Sequence, residues 1–305
     1  MKAIVRDDII KLRKQLSEKL LSLKDLKNEP RIVAQMVRAI PDAINGFSFS
    51  NGLRVNAGGV FVHQQPKVTC ECFPETSVEI GDLLLLRKEG NQSRALLLQV
   101  KRRQSSCREI KPDNENQHKL YYSWPKFKYI RSTPELNDKT RHIKSKDIYM
   151  GAKYLLISDQ HCQCQRCEKF CCHGDCCSCS LGYGMYTALP TMPHLSLFHC
   201  FIDELIQFFI GCAGKFYCQL HPNSSQTGWN KVISDLTDIT ANLFSKGTNG
   251  PRGHGIYRYR GSTSLSIPRF LDISHIPEIP DNLEMDSGFD DNTGGPSIIE
   301  FTIVS

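Results

Sequence analysis

Apolar residues at Ile9, Ile10, Leu12, Leu16, Leu20, Leu23 and Leu26 recur at helical spacing among charges, which predicts an amphipathic helix over residues 7–26. A second helix is expected to open at Glu29-Pro30, since proline is tolerated in a first turn. It carries Ile32, Val33, Met36, Val37 and Ile40 on its buried face and is expected to stop at Pro41. At Leu53 the period falls to two, and Val55, Val60 and Val62, bounded by Gly58-Gly59 and Pro66, predict a strand or hairpin. Residues 82–87 (DLLLLR) and 94–102 (RALLLQVKR) are short, nearly continuous apolar runs joined by a polar connection of hairpin length. Such runs are buried on both faces, so helices must cover the sheet they form. Residues 117–130 interleave lysines with Tyr121, Tyr122, Trp124, Phe127 and Tyr129 and are expected to begin as a helix that Pro125 ends or kinks. Further strands are expected at 153–158, 185–189 and 265–273, helices at 195–211 and 229–245, and an edge strand at 298–304.

The fold class that follows is α/β, a mixed central sheet flanked by helices and interrupted by a cysteine-rich insert. The expected organisation is an N-terminal helix (1–28), a core (29–160), the insert (161–182), further strands and helices packed on the core (183–276), an acidic mobile segment (277–297) and the edge strand (298–305). Neither an internal repeat nor a linker compels two domains.

Charge sharpens this picture through its distribution. The net charge is +6, with positive residues gathered in 101–108, 111–128 and 131–146, while Glu278, Asp281, Glu284, Asp286, Asp290 and Asp291 make the last quarter acidic. A basic middle suits a polyanionic partner, although a charge run of this kind also serves simply as a solvated face. Residues 1–28 are charged and lack the apolar stretch of an export signal, and 195–218 is broken by Asp203, Glu204 and Gln207, so neither secretion nor membrane insertion is expected. A cytoplasmic location, with the fourteen cysteines reduced, is the expectation.

The chemistry gathers around Asp82 and the triplet Gln99-Val100-Lys101. In an antiparallel hairpin Asp82, at the start of one strand, lies beside the end of the next, and alternation places Gln99 and Lys101 on one face with Val100 turned into the core. Magnesium or manganese needs hard oxygen ligands, which the Asp82 carboxylate, the Gln99 amide and the Val100 carbonyl offer. Lys101 is suited to orienting water or stabilising negative charge. Glu29 and Glu79 are further acidic candidates. For Glu29 the competing reading is an ordinary helix-terminal carboxylate. His63 lies near by strand order.

These residues resemble the PD-(D/E)XK nuclease superfamily, in the Mrr-like variant with glutamine at the second acidic position. The resemblance covers about residues 29–158 and implies a restriction-endonuclease-like αβββαβ core. It implies a magnesium- or manganese-dependent deoxyribonuclease in which Asp82, Gln99, Lys101 and the helix-borne Glu29 are catalytic, and Glu29, Asp82, Gln99 and Val100 hold the ion. Gly81 stands where the name-giving proline would be, and Gln99 removes one negative charge. Similarity to restriction enzymes implies a place in genome defence against phage, with DNA and a second defence protein as partners, in homo- or hetero-oligomers. Arg102, Arg103, Lys119, Lys126 and Lys128 follow the motif and are candidates for phosphate contacts, while Trp124 and Phe127 read as core. The alternative is a nuclease-fold subunit that binds or assembles without cutting.

The insert holds Cys162, Cys164, Cys167, Cys171, Cys172, Cys176, Cys177 and Cys179, with His161 and His173 among them. The Cys164-x2-Cys167 spacing lets two thiolates grip one zinc ion, and Cys172-x3-Cys176 is also permissible. An iron–sulfur cluster, regulatory disulfides and a metal-free loop are the other readings of the same density. Cys70, Cys72, Cys107, Cys200, Cys212 and Cys218 read as core or surface thiols.

Overall fold

The computed structural model describes residues 4–62, 66–103, 110–131, 136–144, 147–159, 184–218, 228–245, 256–260, 265, 274, 276–280 and 296–304. Helices α1 (Arg6–Leu20) and α2 (Glu29–Asn45) precede strand β1 (Arg54–Val62). Strands β2 (Lys67–Cys70), β3 (Phe73–Glu79), β4 (Leu83–Glu89) and β5 (Gln92–Arg103) lead to helix α3 (Glu115–Ser123). Then come β6 (Phe127–Arg131), β7 (Thr140–Arg141), β8 (Ala152–Ser158), β9 (Gly184–Pro190), β10 (Leu195–Cys200) and α4 (Phe201–Phe209). Strand β11 (Lys215–Phe216), helix α5 (Trp229–Ser245), β12 (Ile256–Arg258) and β13 (Ser297–Val304) complete the described elements.

The main sheet has the order β10-β9-β8-β5-β4-β13-β1-β12, with β11 against the start of β5. It is mixed: β13 runs parallel to β4 and β8 parallel to β5, whereas β4 and β5 form an antiparallel hairpin. A smaller sheet, β3-β2-β6-β7, lies apart from it. The expected α/β class with a mixed central sheet and flanking helices is therefore the observed one.

The leucine runs explain the layering. Leu83, Leu85, Leu96, Leu98 and Val100 face one core, shared with Leu16 of α1, Val37 of α2 and Phe208 of α4. Leu84, Leu86 and Leu97 face a second core, shared with Leu120 of α3, Leu236 of α5 and Tyr129 of the small sheet. Each buried leucine contributes about 1.5–3 kcal/mol relative to exposure. An uninterrupted apolar strand is thus stable only in the middle of such a sandwich.

Four expectations need correction. Helix α2 continues through Pro41 to Asn45. An interior proline costs about 3 kcal/mol, but Ile40, Ala43 and Ile44 on either side of it are buried, and the Asn45 amide exchanges two hydrogen bonds with Ala57 of β1 (2.7 and 2.8 Å). The segment 195–211 is half strand, because Leu195–Cys200 pairs antiparallel with β9 before α4 begins. Strand β13 is an interior strand between β4 and β1 rather than an edge, which its apolar SIIEFTIV run requires. Cys70 and Cys72 are joined by a disulfide rather than reduced, their Cα atoms 5.3 Å apart at the end of the β2–β3 hairpin. The cysteine-rich insert, His63, Cys107, most of the strand expected at 265–273 and most of the acidic segment lie outside the described residues. None of the described helices is long and apolar enough to cross a membrane.

Candidate active site

Asp82 sits at the mouth of β4, and its position is set by backbone before side chain. Its N–H donates to Leu98 O (2.9 Å) and its carbonyl accepts from Ser297 N (3.0 Å), so both neighbouring strands hold it. Gly81 before it has no Cβ for a packing reason: one placed there would lie 2.6 Å from Leu97 Cδ1 and 3.1 Å from the Tyr121 hydroxyl. That hydroxyl donates to Ile80 O (2.9 Å) and pins the turn that delivers Asp82.

The β4–β5 register ends with Leu83 opposite Leu98, and Asp82, one residue before it, lies beside Gln99. Asp82 Oδ2 accepts from Gln99 Nε2 and from Val100 N, each at 2.5 Å. Two residues on, Lys101 Nζ donates to Glu29 Oε2 (3.1 Å), and the Arg102 N–H donates to Glu29 Oε1 (3.3 Å). Glu29 is the first residue of α2, so the helix start faces this strand end. The N–H and C=O of one strand residue point to the same side. The Val100 carbonyl therefore lies on the strand edge between the N–H that Asp82 accepts and the N–H that Glu29 accepts. Asp82, Gln99, Val100, Lys101 and Glu29 are thus brought together from three separate stretches of chain.

Burial is graded across the group. Gln99 is 0% and Asp82 3% exposed, while the side chains of Lys101 and Glu29 are 16% and 34% exposed. Burial pushes the Asp82 carboxyl well above the ordinary carboxylate range, reinforced by Glu79 and Glu29 and opposed by Lys101 and the Val100 N–H. Burial also raises Glu79, against the pull of Lys101 and Lys67. For Lys101 burial acts downward, but Glu29, Asp82 and Glu79 outweigh it and leave the ammonium more tightly protonated than usual. Glu79 thus belongs to the same field as the other carboxylates, and its carbonyl is held by Gln117 Nε2 (3.1 Å).

With Nε2 committed to Asp82, Gln99 Oε1 is buried and has no hydrogen-bond donor. An uncompensated buried acceptor beside carboxylates that resist ionisation is what an oxygen site built for a hard cation presents when judged on its own ligands. No group of three or more His, Cys, Asp or Glu side chains able to hold a metal ion occurs among the described residues. An ion held here would depend on the Gln99 amide and the Val100 carbonyl as well as on Asp82 and Glu29.

The basic residues divide. Arg102 is tied to Asp159 and to Lys24 O, and Arg103 to Lys111 O and to Asp113 (3.0 Å), so both guanidinium groups are anchored within the protein. Lys119 is half-exposed and Lys126 and Lys128 are exposed. Trp124 and Phe127 are core residues, as expected. Sequence reasoning missed Tyr121 and Tyr154 beside the site, because aromatic residues at helical or strand spacing carry no mark separating core from active-site wall. No family model, curated protein or solved structure matches this chain.

Proposed function

We propose that this chain is a divalent-cation-dependent deoxyribonuclease that hydrolyses phosphodiester bonds. The observation that carries the reading is the convergence of Asp82, Gln99, Lys101 and Glu29 on one strand end, around the carbonyl of Val100. The order of elements agrees with the PD-(D/E)XK resemblance: α2 bearing Glu29, β1, β4 bearing Asp82, β5 bearing Gln99 and Lys101, α3, then β8 parallel to β5. It departs from a simple αβββαβ core in that β2–β3 and β6–β7 intervene along the chain to form the smaller sheet, and β13 is inserted between β1 and β4.

Asp82, Gln99 Oε1, the Val100 carbonyl and Glu29 would hold magnesium or manganese. When bound, the ion supplies Lewis acidity toward a phosphate oxygen and a lowered pKa for water. Lys101 remains an ammonium ion throughout the neutral range, so it acts as a fixed positive charge toward the developing phosphorane rather than as a base. Its bond to Glu29 sets its position, and the half-exposed Glu29 leaves the site open to a polymer on that side. The exposed Lys126 and Lys128, with Lys119, are suited to sequence-independent phosphate contact. One such centre per chain implies two copies or two encounters for a double-strand break.

The test is incubation of the purified chain with linear and circular duplex DNA in manganese, beside Asp82→Ala and Lys101→Ala. The reading requires cleavage by the native chain and none by either folded variant. Binding that persists in EDTA with no cleavage by any form would assign the chain instead to a non-cutting DNA-binding subunit.

A further inference from the structure

Beside the cation ligands lie two more polar atoms that are buried without a hydrogen-bond partner: the Tyr154 hydroxyl and Arg103 Nε. Tyr154 is opposite Gln99 in the parallel β5–β8 register. Gln99, Lys101 and Arg103 alternate onto one face of β5, and Tyr154 stands on that same face of its neighbour. The Tyr154 ring is packed against Tyr121 at 5.0 Å, and the Tyr121 hydroxyl is already taken by Ile80 O, so it does not serve Tyr154. Asp113 and Lys111 O hold the far side of the Arg103 guanidinium and leave its Nε–H without an acceptor. Together with Gln99 Oε1, the face offers two unfilled donors next to one unfilled acceptor.

An occupant that satisfies all three accepts from the two donors and brings a proton or a cation to the amide oxygen. A phosphodiester lying against a divalent ion has that composition. The geometry points to a phosphate subsite made by the Tyr154 hydroxyl and the Arg103 Nε–H, adjoining the cation ligands along β5, that holds a backbone phosphate of the bound strand. This rests on the nuclease reading above and adds a substrate-binding residue from β8 that the motif does not contain. Burial, followed by Asp113 and Asp82 and opposed by Arg103, lifts the Tyr154 phenol above its ordinary value, so it stays a donor across the working pH range.

The experiment compares the native chain with Tyr154→Phe, which removes one oxygen and keeps the ring, and with Arg103→Lys, which keeps the charge and removes the Nε–H. Three quantities are measured: anisotropy binding of a labelled duplex in EDTA, single-turnover cleavage in saturating manganese, and manganese affinity by electron paramagnetic resonance. Loss of a hydrogen bond to a charged acceptor should weaken duplex binding or slow cleavage on the order of tenfold, with manganese affinity unchanged and both variants folded. If the native chain cuts and both variants match it, the subsite is wrong and the nuclease reading stands. If the native chain binds without cutting and both variants bind more weakly, the subsite stands and the nuclease reading falls. A native chain that neither binds nor cuts overturns both. Manganese affinity that falls in step with duplex binding overturns the subsite, because Tyr154 and Arg103 would then only shape the cation site.

Discussion

Replacing Asp82 by asparagine should raise stability and abolish activity together. The carboxylate is 3% exposed, and burial dominates the rise of its pKa. A group whose folded pKa is raised contributes stability that is full below its ordinary value of about 4 and is lost as pH rises through the raised value. At alkaline pH without metal, the raised pKa therefore lowers the stability of the native chain, because a buried carboxylate carries an effective desolvation penalty of several kcal/mol, partly offset by the bonds from Gln99 Nε2 and Val100 N. Asparagine keeps one oxygen to accept both bonds and carries no charge, so Asp82→Asn should be more stable by roughly 1–2 kcal/mol, an order-of-magnitude difference of those opposing contributions. For a chain of this size that raises the melting temperature by about 2–4 °C per kcal/mol. The advantage should shrink as pH falls through the raised value and level off only below about 4, where Asp82 is neutral in both states. Manganese at a hundred times its dissociation constant should stabilise the native chain by about 2.7 kcal/mol and leave Asp82→Asn unmoved. Calorimetric melts at acid and alkaline pH, with and without manganese, measure all of this. An Asp82→Asn protein that melts below the native chain at pH 8 without metal, or that manganese protects equally, would refute the reasoning.

Manganese affinity measured by titration calorimetry should rise with pH through the raised values of Asp82 and Glu79, with protons released on binding; a flat profile would contradict those shifts. Lys101→Met should abolish cleavage while leaving manganese affinity within a few-fold, since the ammonium is not a ligand. Gly81→Ala should lower stability by about 1–3 kcal/mol through overpacking against Leu97 and slow cleavage by displacing Asp82, seen in urea melts and rate assays. Away from the site, Glu204→Gln should cost about 3–5 kcal/mol in denaturant unfolding, because it strands Lys153, which is paired with Glu204 and fully buried. Elemental analysis of the purified chain should find zinc if the cysteine-rich insert is a structural zinc site.

Much of the site was legible because its parts are local in the pattern. The Asp82 and Gln99 runs are joined by a hairpin, and hairpin register with strand alternation is enough to bring Asp82 to Gln99 and to put Lys101 on their face. Glu29 was legible only through the resemblance and the proline that marks its helix start. What escaped depends on distant pairing. Nothing in SIIEFTIV says which strands it enters between, and an interior place between β1 and β4 is set by surfaces more than two hundred residues upstream. Pro41 is a local stop signal that burial of α2 on β1 overrides. Leu195–Cys200 reads as helix because its apolar residues run on into α4, and only pairing with β9 makes it a strand. The anchors of Arg102 and Arg103, namely Asp159, Lys24, Lys111 and Asp113, are supplied by the fold and carry no local mark in the sequence.

Where a divalent ion binds decides most directly whether this strand end is a catalytic centre. Crystals soaked in manganese and measured at a wavelength where it scatters anomalously should give one strong peak among the Asp82 carboxylate, Gln99 Oε1, the Val100 carbonyl and Glu29, absent from Asp82→Asn crystals. A peak elsewhere that survives that substitution, or no peak at saturating manganese, would contradict the assignment of this strand end as a metal-dependent catalytic centre.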